Sequence, residues 1–281
     1  MKYRWPITFT CAIVLGAMLG AYSPMYDLGG SFIPAARALL CGQSPYEATF
    51  YNPPWALLPV LPFAVLPWPV AQPLFGALVM SAFAFVCYRI RIPPVGGVAF
   101  LLSLPVLETV YLGNLEWLSL LSLCVPVGFD ILLAMIKPQV AGGLALYRAA
   151  EIVASRQLGA GITGADRLVR LRAFVGAGAI CLLTFLAWNW PVAGPALLLA
   201  KNWNSSVWPW GIPVGAGLLY AAYRQRDPLF ALAASPFLSP YCMVTSYVAP
   251  MLLLARRWPR AALALVVASW IGCTIWVMIM G

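Results

Sequence analysis

Long apolar runs separated by short polar stretches are the dominant pattern along the chain. A helix needs roughly 20 apolar residues to cross about 30 Å of hydrocarbon. Runs of nearly this length recur from residues 5–22 to residues 261–280. The pattern predicts an all-α, polytopic integral membrane protein in which residues 1–281 form a single transmembrane domain. Helical crossings are predicted at 70–88, 95–112, 139–154, 173–190, 215–223, 228–240, 241–254 and 261–280, several of them shorter than a full span.

The composition supports a membrane protein. Hydrophobic residues make up 63% and charged residues 9% of the 281 positions, whereas soluble domains contain about 45–50% apolar and about 25% charged residues. The net charge of +9 would favour a nucleic-acid partner in a soluble protein. Here the cations flank apolar runs, so we interpret them as determinants of membrane orientation and expect no nucleic-acid partner.

The residue types present limit the possible chemistry. The chain contains no histidine, and its seven cysteines are scattered singly. It therefore lacks the commonest transition-metal ligand and any paired cysteine spacing typical of a zinc or redox site. We predict no metal site and no cofactor. Acid–base chemistry is left to carboxylates, tyrosine and lysine.

The distribution of lysine and arginine predicts the orientation. Lys2 and Arg4 place the N-terminus in the cytoplasm of an inner (plasma) membrane, because the more basic side of a span stays cytoplasmic. The first helix then delivers residues 25–54 to the outer face. The arginine-rich residues 155–172 form a cytoplasmic loop, and residues 191–213 form a second extracytoplasmic loop. Residues 54–69 are too rich in proline for a regular span and are expected at the outer interface.

Residues 115–139 are predicted to be interrupted. One straight span would place Lys137 inside and send the arginines of residues 156–172 outside, against the orientation rule. Two half-depth segments that meet at Pro126 keep Lys137 on the outer side. Broken helices at membrane depth occur where they are buried in protein or line a cavity. The sequence therefore predicts a broken or re-entrant element that contributes to a site.

The outer stretch after the first helix contains a predicted amphipathic helix. Ile33, Ala36 and Leu40 form its apolar side, and Gly42 is placed to end it. This juxtamembrane helix leaves Asp27 just outside the first span. The conspicuous blocks of the stretch are Asp27-Leu28, Arg37-Ala38-Leu39-Leu40, Gly42-Gln43-Ser44-Pro45-Tyr46 and Tyr51-Asn52-Pro53-Pro54.

In this order the blocks resemble the opening of glycosyltransferase family 87, whose members are membrane enzymes of the GT-C class that use polyprenyl-phosphate sugars. Later segments are similar to further steps of that family in the expected order, namely Gly113-Asn114-Leu115-Glu116, Lys137-Pro138-Gln139, Asn204-Ser205 and Ser235-Pro236 to Tyr241. Members are commonly longer, so the chain resembles a short or minimal member. The resemblance implies a GT-C-like fold.

The resemblance also implies an activity, which is the transfer of a sugar such as mannose from a polyprenyl-phosphate donor to a lipid or glycan acceptor at the outer membrane surface. Asp27 stands at the family's position for the base that takes the acceptor proton. Such transfer also needs a cation at the departing phosphate, and Lys137 and Arg37 are the external cations nearest the predicted cavity. The residues expected to bind substrate are Asn114, Glu116, Gln139, Tyr46, Tyr51, Asn52 and Asn204.

Alternatives remain open for these residues and for the function. Asp27 could stabilise a turn, Lys137 could anchor a helix end, and Glu116 could cap a helix or serve as the base in place of Asp27. Glu108 and Asp130 could pair internally. The chain could instead be a non-catalytic subunit of a larger membrane complex that contacts other membrane proteins. It could also be a lipid or sugar transporter, since intramembrane charges mark transport pathways as well.

Overall fold

The structure is a computed structural model that describes residues 4–47, 50–154, 164–188 and 204–280. This part of the chain is helical and contains no strand, which confirms the all-α prediction. Short π and 3-10 turns connect some of the helices. The α-helices are α1 (Arg4–Tyr22), α2 (Ile33–Leu40), α3 (Leu61–Ala64), α4 (Trp68–Arg89), α5 (Pro94–Leu101), α6 (Leu104–Leu112), α7 (Glu116–Leu121), α8 (Phe129–Ala134), α9 (Pro138–Ala154), α10 (Gly164–Trp188), α11 (Ile212–Gln225), α12 (Pro228–Leu238), α13 (Val248–Arg257) and α14 (Pro259–Met280).

Within the described ranges, four helices are long and apolar enough to cross a membrane, namely α1, α4, α10 and α14. The helices α5 and α6 form a fifth candidate that is bent by 45°. The crossing predicted at 95–112 is therefore bent in the middle and not straight. The break lies at Leu102 and Ser103, where the Ser103 hydroxyl donates to the Phe100 carbonyl and Pro105 has no backbone N–H to continue the helix.

Three further predicted crossings are too short to be full spans. The helices α11, α12 and α13 contain 14, 11 and 10 residues, whereas a full span needs roughly 20. α12 packs against α9, α11 and α13 and is buried from Leu229 to Pro236. Its apolar sequence therefore reflects burial inside the protein, because a helix surrounded by other helices is apolar on all sides.

The predicted loops are only partly as expected. Residues 164–172 belong to α10, so the predicted loop 155–172 is wrong for these residues, and residues 155–163 lie outside the described part. Of the predicted loop 191–213, residues 191–203 also lie outside the described part of the chain. Ile212 already begins α11.

The segment after α1 contains the predicted short helix. Ile33 and Ala36 are buried in α2, and Gly42 takes a left-handed conformation with φ of 71° just after the helix. Leu40, predicted on the same apolar side, is 53% exposed, and the residues of α2 that are buried within the protein are Ile33, Ala35 and Ala36. Residues 54–67 contain two short turns, a 3-10 turn at Pro54–Leu57 and an α turn at Leu61–Ala64, as their prolines predict, and residues 68–69 begin α4.

The predicted break within residues 115–139 is confirmed. α7 ends at Leu121, a 3-10 turn follows over Ser122–Cys124, and the chain reverses at Gly128, whose φ is 104°. α8 then folds back along α7, since the Ser119 hydroxyl donates to the Leu133 carbonyl at 3.3 Å. The two short helices form a hairpin that brings its end, at Lys137, back toward its beginning at Glu116.

Close packing between α1 and α4 depends on glycine. A Cβ added to Gly76 would lie 2.1 Å from the Gly16 carbonyl oxygen, and one added to Gly20 would lie 2.5 Å from the Gln72 carbonyl oxygen. Small residues four positions apart let the backbones of membrane helices approach closely. The α1–α4 pair therefore has the packing expected of membrane helices.

Gly76→Val is expected to destabilise the protein by about 1–3 kcal/mol, because the added side chain forces α1 away from α4. Thermal unfolding in detergent, followed by size-exclusion chromatography, measures the loss. Gly97→Val in α5 is the matched control, since a Cβ there meets nothing within 4 Å. Equal stability of the two variants would contradict the importance of the glycine contact.

The predicted orientation can be tested with single cysteines. Cys41 is exposed and lies in the segment predicted to be extracytoplasmic. We expect a membrane-impermeant maleimide to label Cys41 on intact cells, in a variant whose other cysteines are replaced by serine. Gln157→Cys, introduced into the predicted cytoplasmic stretch, should react only after permeabilisation. Labelling of both positions from the same side would refute the orientation.

Candidate functional site

Lys137, Asn114 and Glu116 form a buried polar cluster. The Lys137 ammonium donates to the Asn114 Oδ1 atom and, at 3.0 Å, to the Glu116 Oε1 atom. The lysine is 7% exposed, and Glu116 is completely buried. An ammonium group carries three N–H donors, so two are engaged here. Among the residues that the structure describes, the third has no acceptor.

Local backbone geometry positions Asn114 and Glu116. Gly113 ends α6 with φ of 69°, and a Cβ at this position would lie 2.6 Å from the Leu28 Cβ atom. A glycine is therefore required both by the left-handed conformation and by the close approach of the segment that follows Asp27. The Met25 N–H donates to the Tyr111 carbonyl at 3.1 Å and joins the same two segments. The end of α6 is thus held against the beginning of the outer segment.

Asp27 lies next to this cluster, at the start of the π-helical turn Leu28–Phe32. Burial raises the pKa of the Asp27 carboxyl, the Lys137 charge lowers it, and Glu116 raises it further. The side chain makes no capping hydrogen bond to the turn that it precedes. Asp27 therefore combines a half-buried, proton-attracting carboxylate with a neighbouring cation, which suits a general base.

Thr245 also belongs to the cluster, although the sequence does not indicate it as a site residue. Its hydroxyl donates to Glu116 Oε1 at 2.7 Å, although the two residues are 129 positions apart. Thr245 lies in the 3-10 turn Val244–Tyr247 that precedes α13. A single threonine in an apolar run carries no distinguishing signal, so only its place in the fold reveals it.

Tyr241 was also missed as a site residue. Burial raises the pKa of its phenol, and the charges of Asp27 and Glu116 contribute in the same direction. The Tyr241 side chain is half-buried. It precedes the turn that carries Thr245 and contributes an aromatic side chain to the same part of the molecule.

One atom of the cluster has no partner. Glu116 Oε1 accepts from Lys137 and Thr245, whereas Glu116 Oε2 is buried and has no hydrogen-bond partner among the described residues. A buried, unpaired carboxylate oxygen costs free energy unless a further donor reaches it. Oε2 is therefore the acceptor of the cluster that is left for a further donor.

The structure places Asp27, Asn114, Glu116 and Lys137 in one part of the molecule. In the described part of the chain, the other predicted site residues form hydrogen bonds elsewhere or make no hydrogen bond to this cluster. Arg37 Nε donates to the Ala64 carbonyl at 2.8 Å, and the Tyr46 hydroxyl donates to the Asn52 carbonyl at 3.0 Å. Tyr51 is 38% exposed, and Gln139 is half-buried in the first turn of α9.

The Asn204 side chain holds two loops together. Its amide donates to the Pro240 carbonyl, and its Oδ1 atom accepts from the N–H groups of Ser206 and Cys242. These bonds link the segment after residue 203 to the segment that carries Tyr241. Asn204 therefore supports the loop near the cluster through backbone contacts.

A second ionic cluster connects α8, α9 and α10. Arg148 forms ion pairs with Asp130 at 2.8 Å and Glu151 at 2.6 Å, and Arg170 pairs with Glu151 at 3.4 Å. Asp130 is completely buried and also accepts from the N–H groups of Gly128 and Ile131. Asp130 thus pairs internally, as one alternative proposed, and its contacts stabilise the turn that begins α8.

Within the ranges that the structure covers, no group of three or more Cys, Asp or Glu side chains is arranged to hold a metal ion. Comparisons of the chain with protein-family models, with curated proteins and with solved structures find no match.

Proposed function

We propose that this chain is a membrane glycosyltransferase of the GT-C kind, which moves a sugar from a polyprenyl-phosphate donor to a lipid or glycan acceptor. The observation that carries the proposal is the buried Lys137–Glu116 ion pair beside the segment that follows Asp27, where a Cβ on Gly113 would lie 2.6 Å from the Leu28 Cβ atom. The sequence resemblance implies roles for the same residues. A base next to a buried cation is the pair that this reaction requires.

In the proposed reaction, the Asp27 carboxylate takes the proton of the acceptor hydroxyl. The acceptor oxygen forms a bond to the anomeric carbon of the sugar, and the bond between that carbon and the phosphate oxygen breaks. The electron pair of the broken bond leaves with the polyprenyl phosphate. The third N–H of Lys137 donates to this phosphate, where negative charge develops.

The remaining members of the cluster position these two groups. Asn114 and Glu116 accept from Lys137 and fix the direction of its free N–H bond, and Thr245 holds Glu116. Glu116 Oε2 is assigned to a sugar hydroxyl, because it is the buried acceptor that lacks a donor. The Tyr241 ring offers an apolar surface for the sugar.

The direct test is a transfer assay with the purified chain in nanodiscs. Polyprenyl-phosphate mannose, glucose and other sugars are supplied as donors, with lipid acceptors, and the release of polyprenyl phosphate is measured together with the glycosylated product. We expect both products in equal amounts from at least one donor. Absence of transfer across the panel would refute the proposal. Movement of intact donor between leaflets would then indicate a transporter, and a co-purifying membrane protein that covers Asp27 would indicate a non-catalytic subunit.

A further inference from the structure

An arginine-rich cavity of about 490 Å³ lies away from the Asp27 cluster. Five arginines and one aspartate line it, so the net formal charge of its lining is +4. The apolar part of the lining is formed by Ile90, Leu123, Pro228 and Leu229. The arginines are Arg89, Arg91, Arg226, Arg256 and Arg257.

The cavity and the Asp27 cluster lie at opposite ends of the same helices. α13 begins just after the turn that carries Thr245 and ends at Arg256 and Arg257. α12 runs the other way, from Asp227 at the cavity toward Tyr241. A helix of about ten residues is roughly 15 Å long. The two sites are therefore separate, and a ligand headgroup in the cavity does not occupy the Asp27 cluster.

Two of the five arginines are engaged by the aspartate. Arg256 and Arg257 each approach the Asp227 carboxylate to 3.2 Å, and Arg257 also donates to the Gln225 side chain. In the described part of the chain, no acidic side chain pairs with Arg89, Arg91 or Arg226. These three side chains are exposed at the cavity. The cavity therefore contains more cationic donors than its own acceptor can satisfy.

The backbone supports the same conclusion. Arg91 and Arg226 have φ values of 58° and 53°, a left-handed conformation that is unfavourable for a residue with a side chain. Residues in such conformations cluster at ligand clamps and other functional sites. Both of these arginines line the cavity. Their unusual backbone conformation brings them to the opening from two different connections, one after α4 and one after α11.

We propose that this cavity binds a phosphate group, either the headgroup of an anionic lipid or a free phosphate. Planar guanidinium groups match the oxygens of phosphate with paired hydrogen bonds, and several of them converge here. The orientation rule places this end of the protein in the cytoplasm, the side on which membranes present anionic lipids. The apolar lining fits the glycerol and upper acyl region of such a lipid.

The test compares two double variants that each remove two positive charges from the same end of the protein. Arg89→Gln with Arg226→Gln alters the cavity, whereas Arg224→Gln with Arg260→Gln alters exposed arginines outside its lining. Native mass spectrometry measures retention of phosphatidylglycerol from nanodiscs of mixed phosphatidylcholine and phosphatidylglycerol. Calorimetry in phosphatidylcholine nanodiscs measures binding of inorganic phosphate and pyrophosphate.

The cavity variant is expected to weaken binding roughly tenfold to a hundredfold, since each charge-assisted hydrogen bond contributes about a factor of ten, and the control should change it less than twofold. Retention of phosphatidylglycerol without binding of the soluble anions identifies a lipid headgroup as the ligand. Binding of the soluble anions without retention of phosphatidylglycerol identifies a free phosphate. Equal losses in both double variants, or no binding of any probe to the wild type, would overturn the proposal. If the double variant does not fold, Arg91→Gln provides a single-charge test with a smaller expected loss.

Discussion

Asp27→Asn is expected to lower sugar transfer by roughly two to four orders of magnitude, the range attributed to a general base. The amide has nearly the same shape as the carboxylate but accepts no proton, so the fold and the binding of the donor should persist. Initial rates of transfer in nanodiscs, measured with the donor that is active in the wild type, give the loss. Donor binding is measured separately.

Glu47→Gln is the matched control for this substitution. Glu47 is an exposed carboxylate in the same outer segment, and the structure describes no ion pair for it. The control removes one negative charge at a comparable position along the chain without altering the cluster. Full activity of Asp27→Asn, or an equal loss in the control, would contradict the assignment of Asp27 as the base.

The pH dependence of transfer provides a further readout of the same assignment. The base must be ionised, so the rate should fall as the pH decreases through the pKa of Asp27. Because burial raises that pKa, the fall should occur at higher pH than for an exposed aspartate, whose pKa is about 3.9. Glu116→Gln removes an influence that raises the pKa of Asp27. It should therefore shift the acidic limb of the profile to lower pH.

Lys137→Met is expected to cost about 3–5 kcal/mol of stability, because it leaves the buried Glu116 carboxylate without its cation. Lys137→Met combined with Glu116→Gln removes both charges, so most of the lost stability should return. Unfolding of the wild type, both single variants and the double variant in detergent gives the coupling between the two residues. Additive losses would contradict a direct buried ion pair.

The same double variant separates a structural role of Lys137 from a chemical one. The reference for transfer is the Glu116→Gln single variant, because Glu116 is itself assigned to the sugar. If Lys137 holds the departing phosphate, the double variant regains stability but transfers sugar more slowly than Glu116→Gln alone. If the ion pair only maintains the fold, the double variant and Glu116→Gln transfer sugar at equal rates.

Much of the helical organisation follows from the sequence alone. The helices α1, α4 and α14 each contain about the number of apolar residues that a membrane crossing needs. The break between α7 and α8 also has local causes, because Pro126 lacks an N–H donor and Gly128 accommodates the positive φ of the reversal. Such features depend on residues that are neighbours in the chain.

The composition of the site is predictable only in part. The sequence indicates Asp27 through the family resemblance, Lys137 as an external cation near the predicted break, and Asn114 with Glu116 as groups for sugar hydroxyls. The side chain of Arg37, selected with them, binds the Ala64 carbonyl. Its charge and its place in the outer segment made it a candidate, but the direction of its side chain is determined by the packing of α2 against α3.

Only the tertiary structure identified the lengths of the central helices and the contribution of Thr245. The apolar residues of α12 look like a membrane crossing in sequence, because burial in protein and exposure to lipid both favour apolar side chains. Thr245 reaches Glu116 across 129 positions of the chain. Apolar length and the breaks made by proline and glycine are properties of adjacent residues, whereas the meeting of distant side chains depends on how the helices pack.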